Sequence, residues 1–202
     1  MFRNGATSFT LARRRASCTR CQQACGQAAV IALDTETTSV DDMAAQLVGV
    51  SLAVEPGAAF YIPLAHDYDG APEQLSAVMV LDSLRDWVQD KNKRIVGHHL
   101  KYDYKVLHRA GVTITAPMED TLLQSYVLNN VATRHDMDTF AQTFLNRETV
   151  LFEDVAGKGV KQKTFNQIDI DVAGHYAAED AEVTLQLYQL FSKKLQEDAQ
   201  AQ

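Results

Sequence analysis

The sequence predicts an α/β protein, a mixed five-stranded sheet with three antiparallel strands and then parallel ones, flanked by helices. Three observations predict it. A continuous apolar run, Val30-Ile31-Ala32-Leu33, reads as a strand buried on both faces. Two further apolar stretches, residues 46–54 and 58–63, are separated by Glu55-Pro56-Gly57, whose turn chemistry pairs them as a hairpin. From residue 74 onward the apolar period becomes 3.6, and helical segments alternate with short strands.

In order, residues 29–34 form the first strand, and the loop holding Asp41 and Asp42 leads into the hairpin. Residues 74–89 place Leu75, Val78, Met79, Leu81, Leu84, Trp87 and Val88 near one helical face. Residues 94–97 are a short strand. Residues 101–109 are a helix stopped by Gly111. Residues 112–115 read as a fifth, edge-like strand closed by Pro117. Residues 121–128 and 137–144 are helices, and 152–165, with Lys158, Lys161 and Lys163 around two glycines, is a basic loop. A long helix runs from 170 to about 196, with a break expected near Gly174.

Of 202 residues 46% are hydrophobic, a globular composition with room for one sizeable core. No apolar run approaches the ~20 residues that cross a bilayer, so no membrane partner is expected. Charge is unevenly spread. Residues 1–27 carry five Arg and no acid, which leaves 14 Lys+Arg against 26 Asp+Glu in the rest. So acidic a body does not coat nucleic acid by bulk charge, although bound metal could supply positive charge locally. The division expected is a poorly ordered basic leader over 1–27, a body over 28–197 and a tail over 198–202. An organelle transit peptide is the other reading of the leader. Cys18, Cys21 and Cys25 all lie there. Cys-x-x-Cys-x-x-x-Cys is one ligand short of a closed zinc site, and an iron–sulfur cluster is the other metal reading.

The chemistry centres on Asp34-Thr35-Glu36, at the end of the first strand. Residues two apart in extended backbone share a side, so two carboxylates stand together and call for a cation between them. Asp103 falls in the first turns of a helix, where an acid also serves the helix dipole. Tyr176 and Asp180 lie four apart, on one face of the last helix. Each of these alone fits an ordinary polar surface. Together, four carboxylates from three segments suit two Mg2+ or Mn2+ ions. Two such ions, about 3.5–4 Å apart, serve in-line displacement at phosphorus.

Asp34-Thr35-Glu36, Leu100-Lys101-Tyr102-Asp103 and Tyr176-x-x-x-Asp180 resemble the three motifs of the DEDDy 3′–5′ exonucleases. Residues 60–68, the stretch Arg134-His135-Asp136-Met137-Asp138, and residues 152–168 resemble the proofreading domain of bacterial DNA polymerase I. The resemblance covers about residues 28–195. It implies a ribonuclease H-like fold and hydrolysis of single-stranded DNA 3′ ends to nucleoside 5′-monophosphates. It implies that Asp34, Glu36 and Asp180 hold one metal, that Asp34 bridges to a second, which Asp103 reaches partly through water, and that Tyr176 positions the attacking water. It also implies substrate contacts by Thr35, Val40, His99, Tyr102, Arg134 and Phe152, a polymerase domain or subunit as partner, and a bacterial cytoplasmic, nucleoid-associated setting. His98 and His99 depart from the Gln and Asn usual there, so altered contacts to the terminal nucleotide are expected. Related motifs in RNase D-like enzymes leave RNA 3′-end trimming as the rival activity. A non-catalytic DNA-binding module of a polymerase is the rival of another class.

Overall fold

The structure, a computed structural model, describes residues 8–13, 15–128 and 134–200. Its centre is a six-stranded sheet. The hairpin partners β3 (Leu47–Glu55) and β4 (Ala58–Pro63) follow β2 (Val30–Thr37) as an antiparallel meander. On the other side of β2 lie β5 (Arg94–Gly97) and then β6 (Met118–Asp120), both parallel. The sixth strand, β1 (Ser8–Leu11), pairs parallel with β4 at the far edge, giving the order β1-β4-β3-β2-β5-β6.

That strand corrects the expected count of five, and with it the poorly ordered leader over the described part of 1–27. After β1, helix α1 (Arg15–Gln27) packs on the sheet. Neither element has apolar periodicity to announce it. Instead β1 takes its order from the open edge of β4, and α1 from burying Cys18, Cys21 and Cys25 at spacings of three and four. The cysteines are free and buried, and two of them belong to the apolar core. Lys93 closes the C-terminus of α1, its buried ammonium donating to the carbonyls of Cys25, Gly26 and Ala28 at 2.7–2.9 Å.

The helices α2 (Ala77–Val88) and α3 (Leu100–Arg109) lie with α1 on one face of the sheet, over Ile31, Leu33, Val50 and Leu52. Residues 112–115 do not form a strand. Val112 and Ile114 are buried, but the amides of Thr115 and Ala116 turn to the carbonyl of Val88. Pro117 has no amide to donate, and ladder pairing begins beyond it, in β6.

The opposite face belongs to α7 (Ile170–Gln200), which follows α4 (Thr121–Leu128), α5 (Met137–Phe140) with a π turn at Ala141–Leu145, and α6 (Phe152–Ala156). The expected basic loop thus opens as a short helix, and only residues 157–164 form an exposed basic turn. Helix α7 is unbroken at Gly174. A Cβ there would stand 3.2 Å from both Leu11 and Tyr61, so glycine serves close packing and not a kink. Ala178 and Ala181 continue the contact over Ala32, Ala53 and Ala59 of the sheet.

Candidate active site

The strand β2 does not end at its acids. It runs through Asp34 and Glu36 to Thr37, with an irregularity in the ladder between Glu36 and Thr37. Its alternation is what sorts the site. Ile31, Leu33 and Thr35 face α3, while Ala32, Asp34 and Glu36 face α7. Asp180, on α7, meets the pair. Among the described residues, Asp34, Glu36 and Asp180 are a group of three that each offer one carboxylate oxygen within 4.8 Å of the others'.

Asp103 reaches this strand from the other side and is buried. One of its oxygens accepts from the amide of Thr35 at 2.9 Å and from the hydroxyl of Thr35 at 2.6 Å. Thr35 therefore spends its polar groups on orienting Asp103, and it is buried away from open solvent. All four carboxyls are pushed above the ordinary range, first by burial and then, for Glu36, Asp103 and Asp180, by their neighbours' charge. Asp34 rises to about 6, and Glu36, Asp103 and Asp180 well above their usual values. Tyr176 is raised strongly, by burial and by Asp180, Glu36 and Asp34, and so stays a neutral phenol. One oxygen of Glu36 is buried with no hydrogen-bond partner. A hard divalent cation with oxygen ligands fits this set: the donors are carboxylates, they are crowded, and one is orphaned.

The remaining predicted residues fall at several places around this cluster. Val40 is almost fully exposed, on the loop after β2. Tyr102 pins that loop, its hydroxyl sharing a hydrogen bond of 2.5 Å with Thr37 and reaching the carbonyl of Ser39. Lys105 and Arg109 hold the same loop through Asp42, at 2.5 Å each. Phe152 lies flat against Phe165 and edge-on to Tyr176, with ring centres 6.4 and 6.0 Å away. His99 caps α3, exposed and left-handed at φ 64°, and donates its amide to Asp120. Its neighbour His98 bonds Thr121 at 2.8 Å, and burial lowers its pKa. Arg134 is exposed, beside Asp136.

Two supports were not legible in the sequence. Tyr61 crosses Gly49, the ladder partner of Glu36. A Cβ at position 49 would meet its hydroxyl at 2.3 Å. That hydroxyl lies 2.7 Å from Nε2 of His66, whose Nδ1 faces the carbonyl of Ile168 at 3.0 Å. A carbonyl only accepts, so Nδ1 carries the proton, and the Tyr61 hydroxyl donates to Nε2. The second support joins Arg147 to Glu179 and Glu182, on either side of Asp180. The links from His66 to Ile168 and from Arg147 to the two glutamates join residues far apart in the chain, and no local pattern marks them.

A family profile described as 3′–5′ exonuclease matches residues 11–196. The chain belongs to this exonuclease family. It is 53% identical over 172 residues to DNA polymerase I of Pseudomonas aeruginosa, a match that covers 84% of this chain and 19% of the relative. It thus spans about a fifth of that relative's length. Among solved structures it is similar to Brucella melitensis NrnC with bound Mg2+, at a TM-score of 0.63 and 20% identity, covering 86% of this chain and 76% of the other. It is likewise similar to Trypanosoma brucei RNase D, at a TM-score of 0.68 and 16% identity, covering 90% and 63%. These two likenesses show the fold, which is that of the ribonuclease H-like nucleases.

Proposed function

We propose that this chain hydrolyses single-stranded DNA from its 3′ end and releases nucleoside 5′-monophosphates, supported by two divalent cations, Mg2+ or Mn2+. The observation that carries this is the convergence of Asp34, Glu36 and Asp180 from the central strand and the long helix. Asp34, Glu36 and Asp180 would hold one ion, and Asp34 with Asp103 the other. When bound, such ions activate a water and stabilise the departing 3′ oxygen.

The protein's own groups do the rest. Tyr176, kept protonated, interacts with Asp180 and leaves its oxygen to accept from a water, which it thereby orients. Phe152 and the exposed Val40 offer apolar surface to the last bases, contacts that tolerate any sequence. The exposed Arg134, His99, Lys161 and Lys163 offer contacts to phosphates, and Lys158 in the same turn is paired with Glu153. The unit that does this is the six-stranded sheet with its helices, β1 and α1 included, and it works beside a polymerase domain or subunit, in the cytoplasm. Among the described residues no helix is long and apolar enough to cross a membrane.

DNA is preferred to RNA as substrate because the kinship by sequence is to DNA polymerase I, while the likeness to RNase D is one of fold. The test is a 5′-labelled single-stranded oligonucleotide incubated with Mg2+, Mn2+ or EDTA, beside the same sequence in RNA. A ladder shortening from the 3′ end, metal-dependent and faster on DNA, is the expected result. A folded protein that cleaves neither substrate would refute the activity, and faster loss of RNA would refute the choice of DNA.

A further inference from the structure

Arg147 lies between the π turn and α6, just after Asn146, which is left-handed at φ 50°. Its guanidinium donates to Glu179 at 2.8 Å and also to Glu182. Both glutamates are buried, one residue before and two after Asp180. Neither carboxylate is saturated by the arginine. The second oxygen of Glu179 accepts the amide of Val150 at 2.8 Å. The second oxygen of Glu182 accepts the amide of Gly57, in the β3–β4 turn, at 2.9 Å. Between them, the hydroxyl of Thr149 donates to Asp138 at 2.5 Å. Residues 147, 149 and 150 are thus fastened, and the stretch ends at Phe152, edge-on to Tyr176.

A buried ion pair is a poor device for stability alone, since apolar side chains fill such space at least as well. What the guanidinium adds is a rigid fork that fixes two acceptors one helical turn apart, which an ammonium cannot copy. We propose that Arg147 is a positioning residue, which straps residues 147–152 to α7 and thereby sets the place of Phe152 beside Tyr176 for the terminal base. The idea rests on the exonuclease reading above and names one residue that makes that site fit its substrate.

The test compares wild type, Arg147→Lys, Phe152→Ala and the double variant. Arg147→Lys keeps the positive charge between the glutamates and loses the fork. Two readouts are taken: hydrogen exchange of the amides of residues 148–154, and binding of a fluorescent single-stranded oligonucleotide in EDTA. In Arg147→Lys, exchange at Val150 quickens and the Kd rises, each about tenfold, while the double variant binds no worse than Phe152→Ala alone. Unchanged exchange, or binding losses that multiply in the double variant, would overturn the proposal. If Arg147→Lys melts below the assay temperature, Glu179→Gln carries the same readouts, because it weakens one arm of the fork and keeps an acceptor for the Val150 amide. Cleavage is measured separately on wild type. A wild type that never shortens DNA would refute the exonuclease reading, while exchange and binding would still judge the strap.

Discussion

The two faces of the sheet are built from the same strands and to opposite ends. Toward α1, α2 and α3, β2 presents Ile31 and Leu33 to large side chains such as Leu84, Trp87 and Leu107. Toward α7 it presents Ala32, Asp34 and Glu36, and the helix answers with Gly174, Ala177, Ala178 and Ala181. The first face buries apolar area, which holds the fold together. The second brings two backbones close enough for carboxylates from different elements to meet, and charge repulsion there works against stability. One face supplies the stability that the other spends.

The largest effect should come from Asp34→Ala. Cleavage falls on the order of 10³-fold or more, while thermal unfolding in EDTA stays at or above wild type, since a crowded, half-buried charge is gone. Retention of near-wild-type cleavage would sink the site. Leu33→Ala, the adjacent residue on the other face, should do the reverse. It costs about 2–5 kcal/mol of stability, and the protein that remains folded at low temperature still cuts. If both variants lost activity with stability intact, the division of labour between the faces would be wrong.

pH sharpens the same contrast. In the folded metal-free protein Asp34 holds its proton up to about 6, against 3.8 ordinarily. The folded state then binds more protons than the unfolded state, so stability falls as pH rises through that window and stays lower above it. Chemical denaturation in EDTA should therefore show wild type losing ground to Asp34→Asn between pH 3.8 and about 6. Mn2+ should reverse the loss, contributing about 2.7 kcal/mol at a hundredfold excess over its Kd. A difference between the two proteins that does not vary with pH would refute the burial of that charge.

Apart from α1, the aliphatic face was legible because it obeys local rules: strand runs, a hairpin turn and helical periods mark it. The carboxylates were legible as motifs, and the spacings Asp34-x-Glu36 and Tyr176-x-x-x-Asp180 carry a geometric meaning on a strand and a helix. What the sequence hides are the supports. Thr35 turning to Asp103 and Arg147 reaching Glu182 each depend on how distant elements stack, and Tyr61 leaning over Gly49 depends on the register of the β3–β4 hairpin. The strand β1 is hidden for a related reason, since an edge supplied by β4 orders it and not a pattern of its own.

Thr35→Val probes one of those supports. It removes the hydroxyl donated to Asp103 and leaves the amide in place, so the carboxylate is loosened and not lost. Activity should drop about 10–100-fold, the usual cost of a lost partner behind a metal ligand, with the melting point nearly unchanged. A drop as deep as that of Asp34→Ala would mean that Thr35 acts on substrate directly.

The smallest effect belongs to Val40→Ala, which separates substrate contact from both faces. Val40 is exposed at 97% and contributes nothing to either core, so stability should change by less than about 0.5 kcal/mol. Tyr102, Lys105 and Arg109 hold its loop rigidly against α3, a large effort for a side chain in open water. That effort makes sense if the loop must present one apolar side chain at a fixed place. Binding of a single-stranded 3′ end should then weaken by about 1 kcal/mol, the low end for an apolar contact to a base. The loss should fall on KM, with kcat kept. Tyr102→Phe, which releases the loop without touching Val40, should reproduce part of that loss. If it did not, the loop's anchoring would serve the fold alone.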